Sequence, residues 1–259
     1  HEHSGRLQHL VDELAMPDTA FYAWDARGHG KSSGPRGYSP SLARSVQDVD
    51  EFVRFAASDS QVGLDEVVVI AQSVGAVLVA TWIHDYAPAI RGLVLASPAF
   101  KVKLYVPLAR PALALWHRLR GLFFINSYVK GRYLTHDRQR GASFNNDPLI
   151  TRAIAVNILL DLYKTSERII RDAAAITLPT QLLISGDDYV VHRQPQIDFY
   201  QRLRSPLKEL HLLPGFYHDT LGEENRALAF EKMQSFISRL YANKSQKFDY
   251  QHEDCTGPS

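Results

Sequence analysis

A serine flanked by small residues, Ser73, has the setting of a nucleophile. It lies in the segment AQSVG (71–75), which follows the β-branched run VVVI (67–70) and precedes a stretch with helical periodicity. Small residues two positions before and after a serine permit a tight strand-to-helix turn, which lifts the hydroxyl clear of a sheet. In such a turn the N–H of Val74, at the helix N-terminus, points toward a developing oxyanion. The pattern predicts a nucleophilic Ser73 and an oxyanion hole that includes Val74; the alternative is a turn without chemistry.

A base and an acid are expected to accompany the serine. A serine hydroxyl is a weak nucleophile unless a histidine, itself oriented by a carboxylate, takes its proton. His218 follows one apolar, strand-like run, and Asp187 and Asp188 follow another. Both runs come after Ser73, which gives the order nucleophile, acid, base, one of the orders known for such triads. We predict that His218 is the base and Asp188 the acid, whereas Asp187 is expected to hydrogen-bond within its loop.

The other histidines fit this role less well, because they lie in helical or strand-like stretches, near the chain ends, or before Ser73. His29 shares the glycine-rich loop 27–37 with Arg27. Two roles are open for these side chains, orienting the site or bracing the loop, and we favour the structural one. The loop has neither the spacing of a phosphate-binding loop nor that of a dinucleotide fingerprint. No His or Cys pair has metal-ligand spacing with a carboxylate nearby. We therefore expect no cofactor and no metal.

The elements that position these residues follow from the apolar periodicity. Short continuous apolar runs are typical of strands covered on both faces, as in a parallel sheet. The predicted strands are 19–24, 66–71, 92–96, 182–184 and 210–213. The predicted helices are 6–14, 41–57, 76–86, 194–203 and 227–240. This repeated strand–loop–helix order predicts a parallel sheet with its site residues at the carboxyl edge.

Residues 101–175 interrupt this order, since they are mostly helical in pattern and contain no clear strand. We expect an insertion above the carboxyl edge of the sheet. The chain is thus predicted to have four parts. They are the first part of an α/β core (1–100), a helical cap or lid (101–175), the second part of the core (176–241), and a polar linker or disordered tail (242–259).

Within the insertion, residues 104–125 are rich in Leu, Phe and Trp and include three arginines. We expect this stretch to line an apolar pocket. Transient contact with a membrane surface is a second interpretation. For the membrane question we favour packing within the cap, because amphipathic helices pack more often than they insert.

The composition limits the classes of protein to which the chain could belong. The chain has 259 residues, of which 45% are hydrophobic and 22% charged, as expected for one globular domain. Its formal net charge of +1 gives no indication of a nucleic-acid partner. It contains no apolar run of about 18 residues, so no transmembrane helix is predicted. The single cysteine, Cys255, forms no internal disulfide, which favours a reducing, cytoplasmic location.

These motifs resemble the monoacylglycerol lipase and lysophospholipase branch of the α/β-hydrolase superfamily, which is also classed with serine aminopeptidases. The matching segments run in family order across about residues 1–240. They are EHSGR (2–6), DARGHGKS (25–32), GPRGY (34–38), AQSVG (71–75), LASPA (95–99), LTHD (134–137), GDDYVV (186–191) and GFYH (215–218). The resemblance implies an α/β-hydrolase fold, in which an eight-stranded, mostly parallel sheet is flanked by helices and carries a helical cap. It also implies a Ser73–Asp188–His218 triad.

The same resemblance implies the reaction, which is hydrolysis of a carboxylic ester with one long acyl chain, such as a monoacylglycerol or lysophospholipid. The expected partner is therefore a small-molecule acyl ester and not a nucleic acid. Two alternatives stay open. One is a serine aminopeptidase, and the other is a non-catalytic hydrolase-like module of a larger multidomain protein, to which further domains would be fused.

The sequence departs from the family at two points. The family's central strand and its His-Gly turn, which carry the first oxyanion donor, have no counterpart before Glu2, so we expect N-terminal strands to be missing from the sheet. An excerpt from a longer protein and a chain with trimmed ends fit the abrupt start equally well. We expect an upstream extension in the natural protein and poor folding or activity of these 259 residues alone, because unpaired buried backbone is costly. In the serine turn, Ala71 replaces the usual glycine and Gln72 the usual histidine.

Overall fold

A computed structural model describes residues 1–106 and 108–253 of the protein, with side chains through residue 242. The strands are β1 (Val68–Gln72), β2 (Gly92–Ala96), β3 (Phe124–Asn126), β4 (Ala153–Ala155), β5 (Thr180–Ser185) and β6 (Lys208–Leu213). A four-stranded parallel sheet in the order β1-β2-β5-β6 forms the centre of the structure. The two short strands β3 and β4 pair antiparallel outside this sheet.

Eight α-helices accompany the strands in the described part of the chain. They are α1 (Gln8–Leu14), α2 (Leu42–Asp59), α3 (Val74–Tyr86), α4 (Ala109–Arg120), α5 (Arg138–Asn146), α6 (Val156–Arg171), α7 (Gln194–Arg202) and α8 (Ala227–Glu253). Helices α4, α5 and α6 all belong to the segment between β2 and β5, where the sequence predicts a helical insertion.

Helices cover both faces of the sheet because its strands carry apolar residues on both faces. Along β2, Leu93 and Leu95 pack in one apolar cluster with α2, α3, α6 and α7. Val94 and Ala96 pack on the opposite face with α1 and α8. This alternation follows from the two-residue period of a strand. The prediction of a mostly parallel sheet flanked by helices is confirmed.

Strand β1 forms one edge of the sheet. Among the described residues no strand pairs with its outer side, and all five of its residues are only partly buried. The prediction of a strand at 19–24 is wrong, since these residues form no strand. Their apolar side chains pack without pairing, as where the ring of Trp24 lies 4.3 Å from that of Phe52. A strand needs a neighbour for its ladder of hydrogen bonds, and no strand of the described residues pairs with this segment.

The insertion differs from its prediction in one respect, because it contains the β3–β4 pair. Each of these strands has only three residues, which is too short for a periodicity to be visible in the sequence. The N–H of Ala155 in β4 also donates to the carbonyl of Gly37, at 3.0 Å. Gly37 has φ +71, and a Cβ there would overlap the carbonyl of Ala153, so this close approach requires glycine. The 27–37 loop and the cap are thereby joined through backbone.

Helix α8 is longer than the predicted helix at 227–240. It continues to Glu253 and so includes residues 242–253 of the predicted linker or tail. Residues 254–259, with Cys255, lie outside the described residues. The division of the chain into core, cap, core and tail stays a prediction.

Candidate active site

Ser73 occupies a strained turn between β1 and α3. Its backbone has φ 56° and ψ −124°, a region that residues with a side chain rarely adopt. Its N–H donates to the carbonyl of Ala96 at 2.9 Å, and its carbonyl accepts from the N–H of Ala99 at 3.1 Å. Because Ala96 ends β2 and Ala99 lies in the loop that follows it, the neighbouring strand and its loop hold the turn. The N–H of Val74 belongs to the first turn of α3, where donors have no intrahelical partner. That N–H is thus suited to the oxyanion contact predicted for Val74.

The structure brings together the three residues predicted from the sequence as nucleophile, base and acid. Oγ of Ser73 lies 2.8 Å from Nε2 of His218. On the other side of the ring, Nδ1 of His218 donates to Oδ2 of Asp188 at 2.8 Å. His218 and Asp188 are each only 6% exposed. The arrangement has the geometry that a serine needs in order to lose its proton to an oriented histidine.

Asp188, rather than Asp187, faces His218. Its other oxygen, Oδ1, accepts the N–H groups of Val190 at 2.7 Å and Val191 at 2.9 Å. Burial by itself raises the pKa of Asp188, but the neighbouring His218 and the two amides outweigh it and hold the pKa below the ordinary value of 3.8. Asp187 instead accepts the N–H of Gly215 at 2.9 Å, within the loops at this edge. The carboxylate that accepts from His218 is therefore ionised at neutral pH.

The loop that carries His218 crosses the sheet. His218 follows β6 at one edge, whereas Ser73 follows β1 at the opposite edge. Between them, Oγ1 of Thr220 lies 2.8 Å from Oγ of Ser97, just after β2, and 2.9 Å from Oγ of Ser185, at the end of β5. All three hydroxyl-bearing residues are buried. These contacts hold the loop over the two central strands, so His218 reaches Ser73.

Sequence reasoning missed a polar network next to the serine and the histidine. The amide of Gln72 contacts both Asp219 and the backbone of Leu221. Asp219 is 2% exposed and also binds Arg140 of α5. The replacement of the family's usual histidine by Gln72 was the signal that could have found it.

A second missed residue, Glu223, joins the same loop to the cap. Glu223 is 2% exposed, and its carboxylate accepts the N–H of Tyr217 at 2.9 Å. It also accepts the N–H of His136 at 3.1 Å and lies 2.9 Å from Nδ1 of the same residue. A buried carboxylate with several donors is well satisfied. The residue before His218 is thus tied to the cap segment that precedes α5.

A cavity of about 480 Å³ lies beside Ser73 and His218. Its lining is mainly apolar and includes Leu78 of α3 and the cap residues Ile154, Ile158 and Leu162, together with residues of the N-terminal segment and of α2. An apolar cavity that ends at a polar group is typical of a site for a small ligand. The predicted nucleophile and base thus lie beside a mainly apolar cavity.

The loop residues Arg27 and His29 have structural contacts, as predicted. Arg27 donates from Nε at 3.0 Å and from Nη2 at 2.8 Å to the two carboxylate oxygens of Asp48 in α2. His29 lines the cavity, and burial lowers its pKa to about 4, so its ring is neutral at pH 7. Its Nδ1 therefore donates to the carbonyl of Arg27, at 2.9 Å.

Within residues 1–106 and 108–253, no group of three or more His, Cys, Asp and Glu side chains is arranged to hold a metal ion. No helix in the same part of the chain is both long and apolar enough to cross a bilayer.

Comparison with known proteins assigns the family. The family model described as serine aminopeptidase, S33, matches residues 1–225. The chain belongs to this family of α/β-hydrolases. The match covers the three residues that meet beside the cavity, together with the insertion between β2 and β5.

The relatives of the chain include lipases. It is 99% identical to the protein YnbC of Escherichia coli (strain K12) over all of its 259 residues, which are 44% of that protein. It is 27% identical to the monoacylglycerol lipase of Mycolicibacterium smegmatis over 240 residues, 91% of this chain and 84% of the lipase. Of two curated relatives that it matches, the chain thus spans 44% of the length of one and 24% of that of another.

Solved structures agree with the fold. A monoacylglycerol lipase of Paleococcus ferrophilus superposes with a TM-score of 0.82 at 21% identity, covering 92% of this chain and 91% of that one. The predicted resemblance to the monoacylglycerol lipase branch of α/β-hydrolases is confirmed, and so is the fold class.

Proposed function

We propose that the protein is a serine hydrolase that cleaves a carboxylic ester with one long acyl chain. The observation that carries this proposal is the 2.8 Å contact between Oγ of Ser73 and Nε2 of His218, beside an apolar cavity. In the proposed roles Ser73 is the nucleophile, His218 the general base and acid, Asp188 the residue that orients His218, and Val74 an oxyanion donor.

The first half-reaction forms an acyl-enzyme. Oγ of Ser73 attacks the ester carbonyl carbon while Nε2 of His218 takes the hydroxyl proton. The carbonyl oxygen becomes an oxyanion, which accepts the N–H of Val74. Asp188 is ionised and stabilises the imidazolium. When the tetrahedral intermediate collapses, the C–O bond to the alcohol breaks, and His218 gives the proton to the departing oxygen.

The second half-reaction restores the enzyme. Water attacks the acyl carbon while His218 takes one of its protons, and the bond to Oγ of Ser73 then breaks as that oxygen recovers the proton. The products are a carboxylic acid and an alcohol. A second oxyanion donor, expected by resemblance from a His-Gly turn before Glu2, stays a prediction.

The acyl group fits the cavity by its chemistry. Side chains such as Ile154, Ile158 and Leu162 offer apolar contact to an acyl chain. Each buried methylene group gains about 0.8 kcal/mol, so a long chain would gain substantially from this lining. The monoacylglycerol lipases among the relatives of the chain support the same substrate class. A structural neighbour, the monoglyceride lipase of Saccharomyces cerevisiae, has been solved in complex with a substrate analogue.

We also propose that the cap contacts a membrane surface while a lipid substrate enters. None of the residues of α4 is fully buried, although the helix packs on α6 through Arg110, which contacts Tyr163 and Glu167. Leu115, Trp116 and Leu119 are 60%, 51% and 73% exposed, with Arg118 and Arg120 beside them. Apolar side chains next to arginines suit a lipid surface that carries anionic headgroups. The cytoplasmic location predicted from the single cysteine stays a prediction.

Hydrolysis by the full-length protein tests the proposal. The substrates are monoacylglycerols and lysophospholipids of increasing chain length, with aminoacyl anilides as the comparison and Ser73→Ala as the inactive control. We expect release of fatty acid that increases with chain length and disappears in Ser73→Ala. Cleavage of the anilides alone would favour the aminopeptidase alternative. A folded protein that cleaves neither class would favour the non-catalytic module.

A further inference from the structure

We propose that Gln72 and Asp219 form a positioning pair that fixes the distance between Ser73 and His218. Gln72 directly precedes Ser73, and Asp219 directly follows His218. Their side chains meet across the carboxyl edge of the sheet, between the two elements whose approach the reaction requires. The inference rests on the proposed function, since it concerns the alignment of that nucleophile and that base.

Gln72 binds the histidine loop at two points. Its Nε2 donates to Oδ1 of Asp219 at 3.0 Å. Its Oε1 accepts the N–H of Leu221, also at 3.0 Å. A glutamine amide has one donating and one accepting end, and here each end faces a partner of the opposite kind. The two contacts lie one and three residues after His218, so they hold the loop in both position and rotation.

Asp219 is itself fixed from the cap. Its second oxygen, Oδ2, accepts from Nε of Arg140 at 2.5 Å, and its backbone N–H donates to the carbonyl of Leu134 at 2.8 Å. Arg140 in turn donates from Nη1 to the carbonyl of Arg6 at 3.2 Å. Asp219 is 2% exposed, so its carboxylate depends on these partners. Gln72 thus donates to a carboxylate whose position is fixed by its contacts with the cap.

In this pair Gln72 donates and Asp219 accepts, so exchanging the amide and the carboxylate between the two positions tests the inference. In Gln72→Glu, a second carboxylate would face that of Asp219. In Asp219→Asn, one amide could satisfy Arg140 or Gln72, but not both. In the double variant, which combines the two substitutions, the new amide at position 219 can donate to the new carboxylate at position 72 and accept from Arg140. That carboxylate still accepts the N–H of Leu221. The double variant therefore restores every hydrogen bond and the total charge of the network.

The experiment measures kcat and KM for a soluble ester with the full-length protein and these three variants, each checked for folding by circular dichroism. A small misalignment of reacting groups costs up to about 100-fold, so we expect kcat to fall about 10- to 100-fold in each single variant. We expect KM to change less than about twofold and the double variant to recover to within about fivefold of wild type, because the two losses are coupled.

Gln234→Glu is the matched control. Gln234 donates to the backbone carbonyls of Glu13 and Leu14, at 3.3 and 2.8 Å, where α8 packs on α1. This variant should be destabilised without a change in kcat. Single variants that keep the wild-type kcat, or a double variant whose loss is the product of the single losses, would overturn the inference. A wild-type protein that neither hydrolyses esters nor reacts with a fluorophosphonate would overturn the proposed function and, with it, this inference.

Discussion

Oγ of Ser73 lies 2.8 Å from Nε2 of His218, although 145 positions separate the two residues in the chain. They follow strands at opposite edges of the four-stranded sheet, β1 and β6. Neighbouring strands are about 4.8 Å apart, so the ends of these two strands are separated by roughly 14 Å. The contact therefore depends on the loop after β6, which Thr220, Asp219 and Glu223 hold across the sheet and against the cap.

Separate replacement of Asp188 and Asp187 distinguishes the residue that orients the base from the residue that supports the loop. Asp188→Asn removes the charge that favours the imidazolium, so kcat should fall by about 10⁴-fold while the protein stays folded. Asp187→Asn changes only the contact with the N–H of Gly215 and should keep kcat within about threefold. Steady-state hydrolysis of a soluble ester measures both effects. Equal losses in the two variants would refute the assignment of Asp188.

Replacement of Ser73 by glycine and by alanine measures the strain in the turn. Both variants lack the hydroxyl, but only glycine adopts φ 56° without steric cost. Strain at such a residue is about 1–3 kcal/mol, and glycine loses about 0.5–1 kcal/mol through the entropy of the unfolded chain. We expect Ser73→Gly to be more stable than Ser73→Ala by about 1 kcal/mol in urea unfolding. A more stable alanine variant would show that the turn carries no strain.

The residues that the sequence predicted well share one property. Ser73, Asp188 and His218 each follow a continuous apolar run, and such runs became β1, β5 and β6. Parallel strands end at one edge, so the runs predicted that these residues lie along the same edge of the sheet.

The features that the sequence did not reveal depend on tertiary contacts. The run at 19–24 has the composition of a strand, but pairing needs a neighbour, and no strand lies beside it in the described structure. The β3–β4 pair is too short to leave a pattern. Gln72 and Asp219 are 147 residues apart in the chain, so no local pattern in the sequence could predict their contact.

Acid should destabilise the protein partly through Asp219. Burial opposes ionisation of Asp219, but Arg140 and Gln72 outweigh it and hold its pKa below the ordinary value of 3.8. A carboxylate with a lowered pKa in the folded state stabilises the protein above its unfolded pKa, and this stabilisation is lost as the pH falls through the folded pKa. We therefore expect the free energy of unfolding to fall below about pH 4.

The variant Asp219→Asn tests whether the destabilisation by acid originates from Asp219. It leaves Arg140 without its buried partner, so it should be less stable at pH 7 by about 3 kcal/mol, and its stability should fall less steeply below about pH 4. Asp12→Asn, at an exposed carboxylate of α1, is the control and should follow the wild-type curve. Parallel curves for wild type and Asp219→Asn would assign the acid sensitivity to other groups.

A larger side chain in the cavity should shorten the preferred acyl chain. Ile158 of α6 lines the cavity beside Ser73, whereas Leu160 of the same helix lines a separate groove with α4. We expect Ile158→Phe to lower kcat/KM for long-chain esters by about tenfold relative to acetyl esters, because the filled volume excludes terminal methylene groups. Leu160→Phe should leave the ratio unchanged. An unchanged ratio in Ile158→Phe would place the acyl chain elsewhere.

Reaction with an alkyl fluorophosphonate tests the central claim most directly, because this reagent modifies a serine only where a base activates it. The full-length wild-type protein, Ser73→Ala and His218→Ala are incubated with the reagent, and the modified peptide is located by mass spectrometry. The proposed roles require a single phosphonate on Ser73, absent from Ser73→Ala and formed at least about 1000-fold more slowly in His218→Ala. A folded wild-type protein that stays unmodified, or a phosphonate that persists in Ser73→Ala, would contradict the role of Ser73 as the nucleophile.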